Sequence, residues 1–162
     1  PRLAKDAKRQ AQWREICPHV QICDSAEDAA QGAEVVMLCT SSGQPVLDVA
    51  ALSPGALVTS ISTNVAEAHE VDPAFLNRAQ VYCDYRATTP QTAGEMRLAA
   101  RDHGWDSKDL RGDLAELATG ACPRPDGAQP VFFRSVGLGL EDIAIANALF
   151  QCHQTTTHEG TV

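Results

Sequence analysis

The sequence has no apolar run near the roughly 20 residues that a membrane-spanning helix needs, and no stretch patterned like a signal peptide. It also lacks a basic surplus: 13 Lys and Arg stand against 21 Asp and Glu, a formal net charge of −8. A nucleic-acid surface needs a basic face to displace phosphate counterions, so that class is excluded. Nucleotide cofactors are not excluded, because backbone amides and helix N-termini bind their phosphates without a basic surplus. The six cysteines form no CxxC pair and no metal-finger spacing. The histidines (His19, His69, His103, His153 and His158) show no i,i+4 pairing and no HExxH, which argues against a metal site. There is no GxSxG nucleophile elbow and no internal repeat. Above all there is no GxGxxG or GxGxxA. The one close glycine pair, Gly137 and Gly139, follows the last apolar run, where a first βα phosphate turn cannot lie.

What is present reads as one α/β unit. Its 44% hydrophobic and 21% charged composition is ordinary for a globular chain of 162 residues. Residues 2–16 pattern as an amphipathic helix with Leu3, Ala7, Trp13 and Ile16 inward, stopped by Pro18. A short run, VQIC (20–23), follows, and Ser25 with Asp28 forms a capping-box-like start to a brief helix ended by Gly32. VVMLC (35–39) and ALVTSI (56–61) are continuous apolar runs of strand length, suited to strands buried on both faces of a parallel sheet. Helical segments are expected at 73–79, 91–103 and 109–120, strands at 81–85 and 130–137, and a final helix at 140–150 before a frayed polar tail. The alternation predicts a largely parallel α/β sheet. Cys23, Cys39 and Cys83 sit at the ends of apolar runs and are expected as buried thiols of a reduced, cytoplasmic protein. The chain opens at Pro1 inside a basic helix-forming stretch, so an element is expected to begin upstream.

In an open parallel sheet, ligands sit off the carboxyl ends of the strands. Thr40, Ser41 and Ser42 follow one such strand, and Ile61, Ser62, Thr63 and Asn64 follow the next. Each group is a ligand-facing turn or simply a polar one, and Asn64 also suits a helix cap. Asp84, Tyr85 and Arg86, at another strand end, approach substrate or form an edge salt bridge. Arg134 is a ligand contact or a solvated strand-end charge, and Glu141 and Asp142 complement the dipole of the last helix.

Three stretches in register, AEVVMLCTSSGQPVLD (33–48), PGALVTSISTNVAEAHEVDPAFL (54–76) and PVFFRSVGLGLED (130–142), resemble the ornithine cyclodeaminase/mu-crystallin family. The likeness runs from about Val20 to Phe150. It implies the later part of a Rossmann-type sheet lacking its first βαβ turn (1–137), a C-terminal helix belonging to a catalytic and dimerisation domain (138–152) and a flexible tail (153–162). It implies NAD or NADP as cofactor, with NADPH favoured for a reductase, a small amino- or imino-acid substrate, and a homodimeric whole. Thr40, Ser41, Ser42, Ile61, Ser62, Ser135, Val136 and Gly137 are the expected cofactor contacts, the Ser135–Gly137 turn beside the nicotinamide, where backbone groups and a small side chain meet the carboxamide. Arg134 stands where many relatives have lysine. Asn64 is the expected catalytic residue. In cyclodeaminases the matching position carries aspartate, whereas an amide orients a substrate or water but accepts no proton. That departure favours reduction of a cyclic imino acid, Δ1-pyrroline-2-carboxylate or Δ1-piperideine-2-carboxylate. The alternatives are ornithine cyclodeamination, an amino-acid dehydrogenase, a ligand-binding or crystallin-like protein, and an inactive fragment.

Because the glycine-rich turn and the basic partners of the substrate carboxylate are expected upstream, the 162-residue chain alone is expected to be inactive and to hold dinucleotide weakly. Oxidation of NADPH by this purified chain with Δ1-pyrroline-2-carboxylate would contradict that.

Overall fold

Strands form where β-branched, aliphatic and aromatic residues run together between turns, and four of the five strands among the described residues do so. The computed structural model describes residues 6–63 and 66–159, with side chains to 154. Helices α1 (Ala7–Ile16) and α2 (Ala26–Ala30) precede β1 (Val35–Leu38) and β2 (Leu57–Ser60). A 3-10 turn (Pro73–Arg78) leads into β3 (Gln80–Cys83), then α3 (Thr89–Thr92) and α4 (Gly94–Asp102). The short β4 (Gly112–Asp113) runs into α5 (Leu114–Thr119), and β5 (Val131–Arg134) into the long α6 (Gly139–Glu159).

All pairings are parallel and the order is β1-β2-β5-β3-β4. The last strand therefore enters the middle of the sheet, Val58 beside Phe132 on one side and Val81 beside Phe132 on the other. Parallel strands put all their carboxyl ends on one edge, which is what brings distant turns together.

The core lies on one face of the sheet. Leu38, Val58, Val81 and Phe132 meet Val71, Phe75, Leu76, Met96 and Ala99 from the covering segments. Phe75 stands edge-on to Phe132, ring centroids 6.0 Å apart. The opposite face of β1 is bare: Val35 is 55% and Met37 70% exposed. The expectation of burial on both faces therefore fails at β1, where among the described residues no layer covers that side and no strand pairs beyond it. In α6, Leu140, Ile143, Ile145, Leu149 and Phe150 are all exposed by more than half. These positions spread round the helix, the pattern of one made to be covered on several sides. Among the described residues, no helix is long and apolar enough to cross a membrane.

Several local expectations change. The short run VQIC (20–23) lies outside the regular elements. In α1, Ala7 and Ile16 are exposed and Trp13 half-buried, while Leu3 lies outside the described residues. The 91–103 helix starts earlier, as α3, and breaks at Ala93, whose backbone is extended. The 109–120 helix is a 3-10 turn, then β4, then α5, which is set by a reciprocal cap between Asp113 and Glu116. The expected tail is helical as far as Glu159. Cys83 is buried, Cys23 half-buried and Cys39 exposed. Ser25 does cap α2, accepting from the Asp28 amide at 3.0 Å.

The break at Ala93 lets Gly94 press against the 66–70 segment. A Cβ on Gly94 would fall 2.0 Å from the Ala68 carbonyl oxygen, backbone that cannot step aside. Gly94→Ala is expected to cost about 3 kcal/mol, read as a lower midpoint in urea denaturation. An unchanged midpoint would show that α4 can shift freely.

Candidate functional site

Four turns leave the carboxyl edge of the sheet: Thr40–Ser42 after β1, Ile61–Thr63 after β2, Ser135–Gly137 after β5 and Asp84–Arg86 after β3. The structure thus brings Thr40, Ile61, Ser62, Ser135, Val136 and Gly137 to one rim. Asn64, the expected catalytic residue, lies outside the described residues. The first two turns touch directly, Ser62 Oγ donating to the Ser42 carbonyl at 3.0 Å.

The rim is held from beneath by buried charges. Glu70 is 0% exposed. Its Oε1 accepts from the Thr40 amide at 2.7 Å, and its Oε2 faces Ser60 Oγ at 2.9 Å, the Ile61 amide at 3.1 Å and the Ser62 amide at 3.2 Å. Glu95, also fully buried, faces Ser60 Oγ at 2.9 Å and accepts from the Glu70 amide at 3.0 Å. Arg134 is 1% exposed. It donates to the carbonyls of Ser60 at 2.9 Å, Ser135 at 2.8 Å and Ser62. Its Nε stands 2.8 Å from Glu95 Oε2, close enough for charge pairing but not aligned as a hydrogen bond. Asp84 completes the row. Its Oδ2 accepts from Ser135 Oγ at 3.1 Å and from the amides of Val136 at 2.7 Å and Gly137 at 3.0 Å, while Oδ1 accepts from Thr89 Oγ1 and the Tyr85 amide.

This arrangement corrects two expectations. Arg134 is neither a solvated charge nor an open ligand contact, because its donors go to strand-end carbonyls. The amides of Val136 and Gly137 do not await a carboxamide, because Asp84 already takes them. Tyr85 stays exposed, and Arg86 forms the edge salt bridge with Glu116 at 2.9 Å. Glu141 accepts from the Leu138 amide at 3.3 Å, the role expected of an acid at a helix start. What the rim offers a ligand is therefore small polar side chains and the face of Ile61, 48% exposed. Beneath it lies a cavity of about 450 Å³ lined by Ser62, Thr63, Thr88, Thr92, Arg134 and Val136, within the range of small-molecule sites.

Sequence reasoning missed Glu70 and Glu95. One signal was available for Glu95: it shares a helical stripe with Leu98 and Ala99, both buried, where a solvated acid does not belong. Burial works to raise the Glu70 pKa, but the hydrogen bonds from Thr40, Ser60 and Ile61 outweigh it and hold the carboxyl below the usual glutamate value. Burial likewise pushes the Cys83 thiol up to about 12, which removes it as a nucleophile near neutral pH. Among the described residues, no cluster of His, Cys, Asp and Glu could hold a metal ion.

Known proteins share this architecture. Residues 2–156 match the model of the ornithine cyclodeaminase/mu-crystallin family. The chain is 52% identical to the NAD(P)H-dependent anabolic L-arginine dehydrogenase DauB of Pseudomonas aeruginosa, over 92% of this chain and 47% of that protein. It is 24% identical to the Δ1-pyrroline-2-carboxylate reductase of Colwellia psychrerythraea, over 91% of this chain and 48% of the relative. The iminosuccinate reductase of Paracoccus denitrificans, solved with NAD+, superposes with a TM-score of 0.79 at 22% identity, over 94% of this chain and 47% of that one. The chain spans about half the length of the curated relatives it matches, and its sheet is the later part of their Rossmann-like fold.

A carboxyl whose pKa is lowered by folding adds stability that is present above its ordinary value, near 4.5, and lost as pH falls through the folded value. Glu70→Gln is therefore expected to lower stability by about 1–3 kcal/mol at pH 7, with the gap narrowing below about pH 4.5. Urea titrations of both proteins across that range read it directly. A gap independent of pH would show that the charge of Glu70 contributes nothing.

Proposed function

We propose a function from one premise: the chain belongs to the ornithine cyclodeaminase/mu-crystallin family. It forms the cofactor-facing half of an NAD(P)-dependent oxidoreductase that interconverts a small α-amino acid and its imine. The observation that carries this is the rim, where turns far apart in sequence sit side by side on one sheet edge. Dinucleotides lie across such edges in open α/β sheets. The residues fit the ring end of a dinucleotide: Thr40, Ser41 and Ser42 flank it on one side, Ile61 supplies an apolar face, and Ser135, Val136 and Gly137 close the other side. They do not fit its pyrophosphate, since the sequence holds no glycine-rich βα turn. The bound nicotinamide supplies the hydride. The chain's own residues hold that ring, keep water from the cavity beneath Ser62 and Val136, and orient the substrate nitrogen through the Asn64 amide.

Identity of 52% with an L-arginine dehydrogenase supports an open-chain basic amino acid and its imine as the substrate pair. Reduction of a cyclic imino acid is the second reading, supported by the pyrroline-2-carboxylate reductase at 24%. Cyclodeamination is disfavoured by Asn64, whose amide takes no proton. NADPH suits the reductive direction. We also propose a homodimer working in the cytoplasm. Its rim unit is 1–137, and α6 belongs to a second domain that covers the apolar helix and reaches past residue 152.

The test is the enzyme carrying this chain, given reduced cofactor and either the 2-oxo acid of arginine with ammonium or Δ1-pyrroline-2-carboxylate. Loss of reduced-nicotinamide absorbance is expected with the first pair and faster than with the second. A faster reaction with the cyclic imine reverses the order of the readings. Ammonia release from ornithine would make it a cyclodeaminase, and no reaction would leave a ligand-binding protein.

A further inference from the structure

Glu70 is buried beneath the rim and joins the ends of two strands, and nothing in the proposed chemistry uses it. Its two carboxylate oxygens serve different strands: one holds the Thr40 amide after β1, the other the Ile61 and Ser62 amides after β2. Its backbone is fixed as well, the amide by Glu95 at 3.0 Å and the carbonyl by the Val46 amide at 2.9 Å. It therefore ties the loop of residues 40–46, the end of β2 and the start of α4 to one point.

Stability alone is a poor reason for such a group. Replacing a buried ion and its partners by well-packed apolar side chains is often neutral or stabilising. What an apolar residue cannot do is fix the spacing of two loops by hydrogen bonds to their amides. The amides in question belong to Thr40, Ile61 and Ser62, the positions read above as dinucleotide contacts. Their side chains inherit whatever spacing the carboxylate imposes on their backbones.

We propose that Glu70 is a positioning residue for the dinucleotide, holding the Thr40 and Ile61–Ser62 turns at the separation the nicotinamide end requires. The inference rests on reading the rim as the dinucleotide's seat. Glu70 touches neither cofactor nor substrate and moves no proton. Its effect passes only through the two turns. Glutamine keeps the length but puts an NH2 against N–H donors, so one strand end is released. Aspartate keeps the charge but is one methylene too short to reach both ends.

The test uses the enzyme carrying this chain, with NADH or NADPH as probe. Glu70→Gln is expected to raise the dinucleotide Kd about tenfold, the equivalent of leaving buried donors unmet. Glu70→Asp is expected to raise it less, and it serves alone if the glutamine variant does not fold. The imine KM is expected to stay unchanged. Amide hydrogen exchange is expected to quicken at Thr40, Ile61 and Ser62 and not along β3. If both variants bind dinucleotide as the parent does, or if imine KM rises in step with dinucleotide Kd, the inference falls while the functional reading stands. If the parent itself binds no dinucleotide, both fall together.

Discussion

Charge buried at the carboxyl edge of the sheet must be paired, and here the pairing builds the site. Glu70 links β1 to β2, Arg134 links β2 to β5, and Asp84 links β5 to β3. Each link runs from a charged side chain to backbone groups or a hydroxyl at the last residue of a strand or within three residues beyond it. The ladder of the sheet stops at Ser60 and Arg134, so without these links the turns would depend on their own weak local bonds. Isolated ions at this depth would cost many kcal/mol. Arg134 stands against Glu95, and strand-end amides and carbonyls bond the Glu70 carboxylate and the remaining Arg134 donors. The edge is thereby stiff because its charges have no cheaper arrangement.

The same economy does not extend to the apolar surface. Among the described residues, most buried polar atoms beneath the rim have hydrogen-bond partners, whereas Val35 and Met37 on β1 and the leucines and isoleucines of α6 stay exposed. A parallel strand with a bare face and a free edge is unusual, since such sheets ordinarily carry a layer on both sides. The two observations fit one division of labour. Geometry at the rim is set locally, by hydrogen bonds inside this chain. Hydrophobic cover of these faces is not supplied by the described residues, in a chain that spans about half of each curated relative.

Much of this was legible in the sequence, and what was not has a common cause. Apolar runs bounded by turns gave β1, β2, β3 and β5, and the parallel order followed from the helical segments between them. That order alone was enough to place Thr40, Ser62 and Ser135 at one edge. The buried acids were not legible, because a glutamate in a loop or at a helix start is read as solvated unless its apolar company is weighed. Glu95 had that company in Leu98 and Ala99. Glu70 did not, and only the folded positions of Thr40 and Ile61, thirty and nine residues away, explain it. Arg134 was read as an open charge for the same reason: its partners are carbonyls, which carry no sequence signal.

Turning the charges inward also decides what the rim can recognise. Glu70, Glu95 and Arg134 are spent on backbone groups, so the surface they support is neutral: Thr40, Ser41, Ser42, Thr63 and the face of Ile61. A neutral, fixed surface suits a nicotinamide ring, which is cationic in one redox state and uncharged in the other, because strong charge nearby would bias that pair. It does little to distinguish one amino-acid side chain from another. The relatives named above act on arginine, pyrroline-2-carboxylate and iminosuccinate by their names while sharing this half of the fold. Under the proposed function, substrate choice falls to residues beyond the rim, and the constraint proposed for the rim is the narrower one of keeping two turns at a fixed distance.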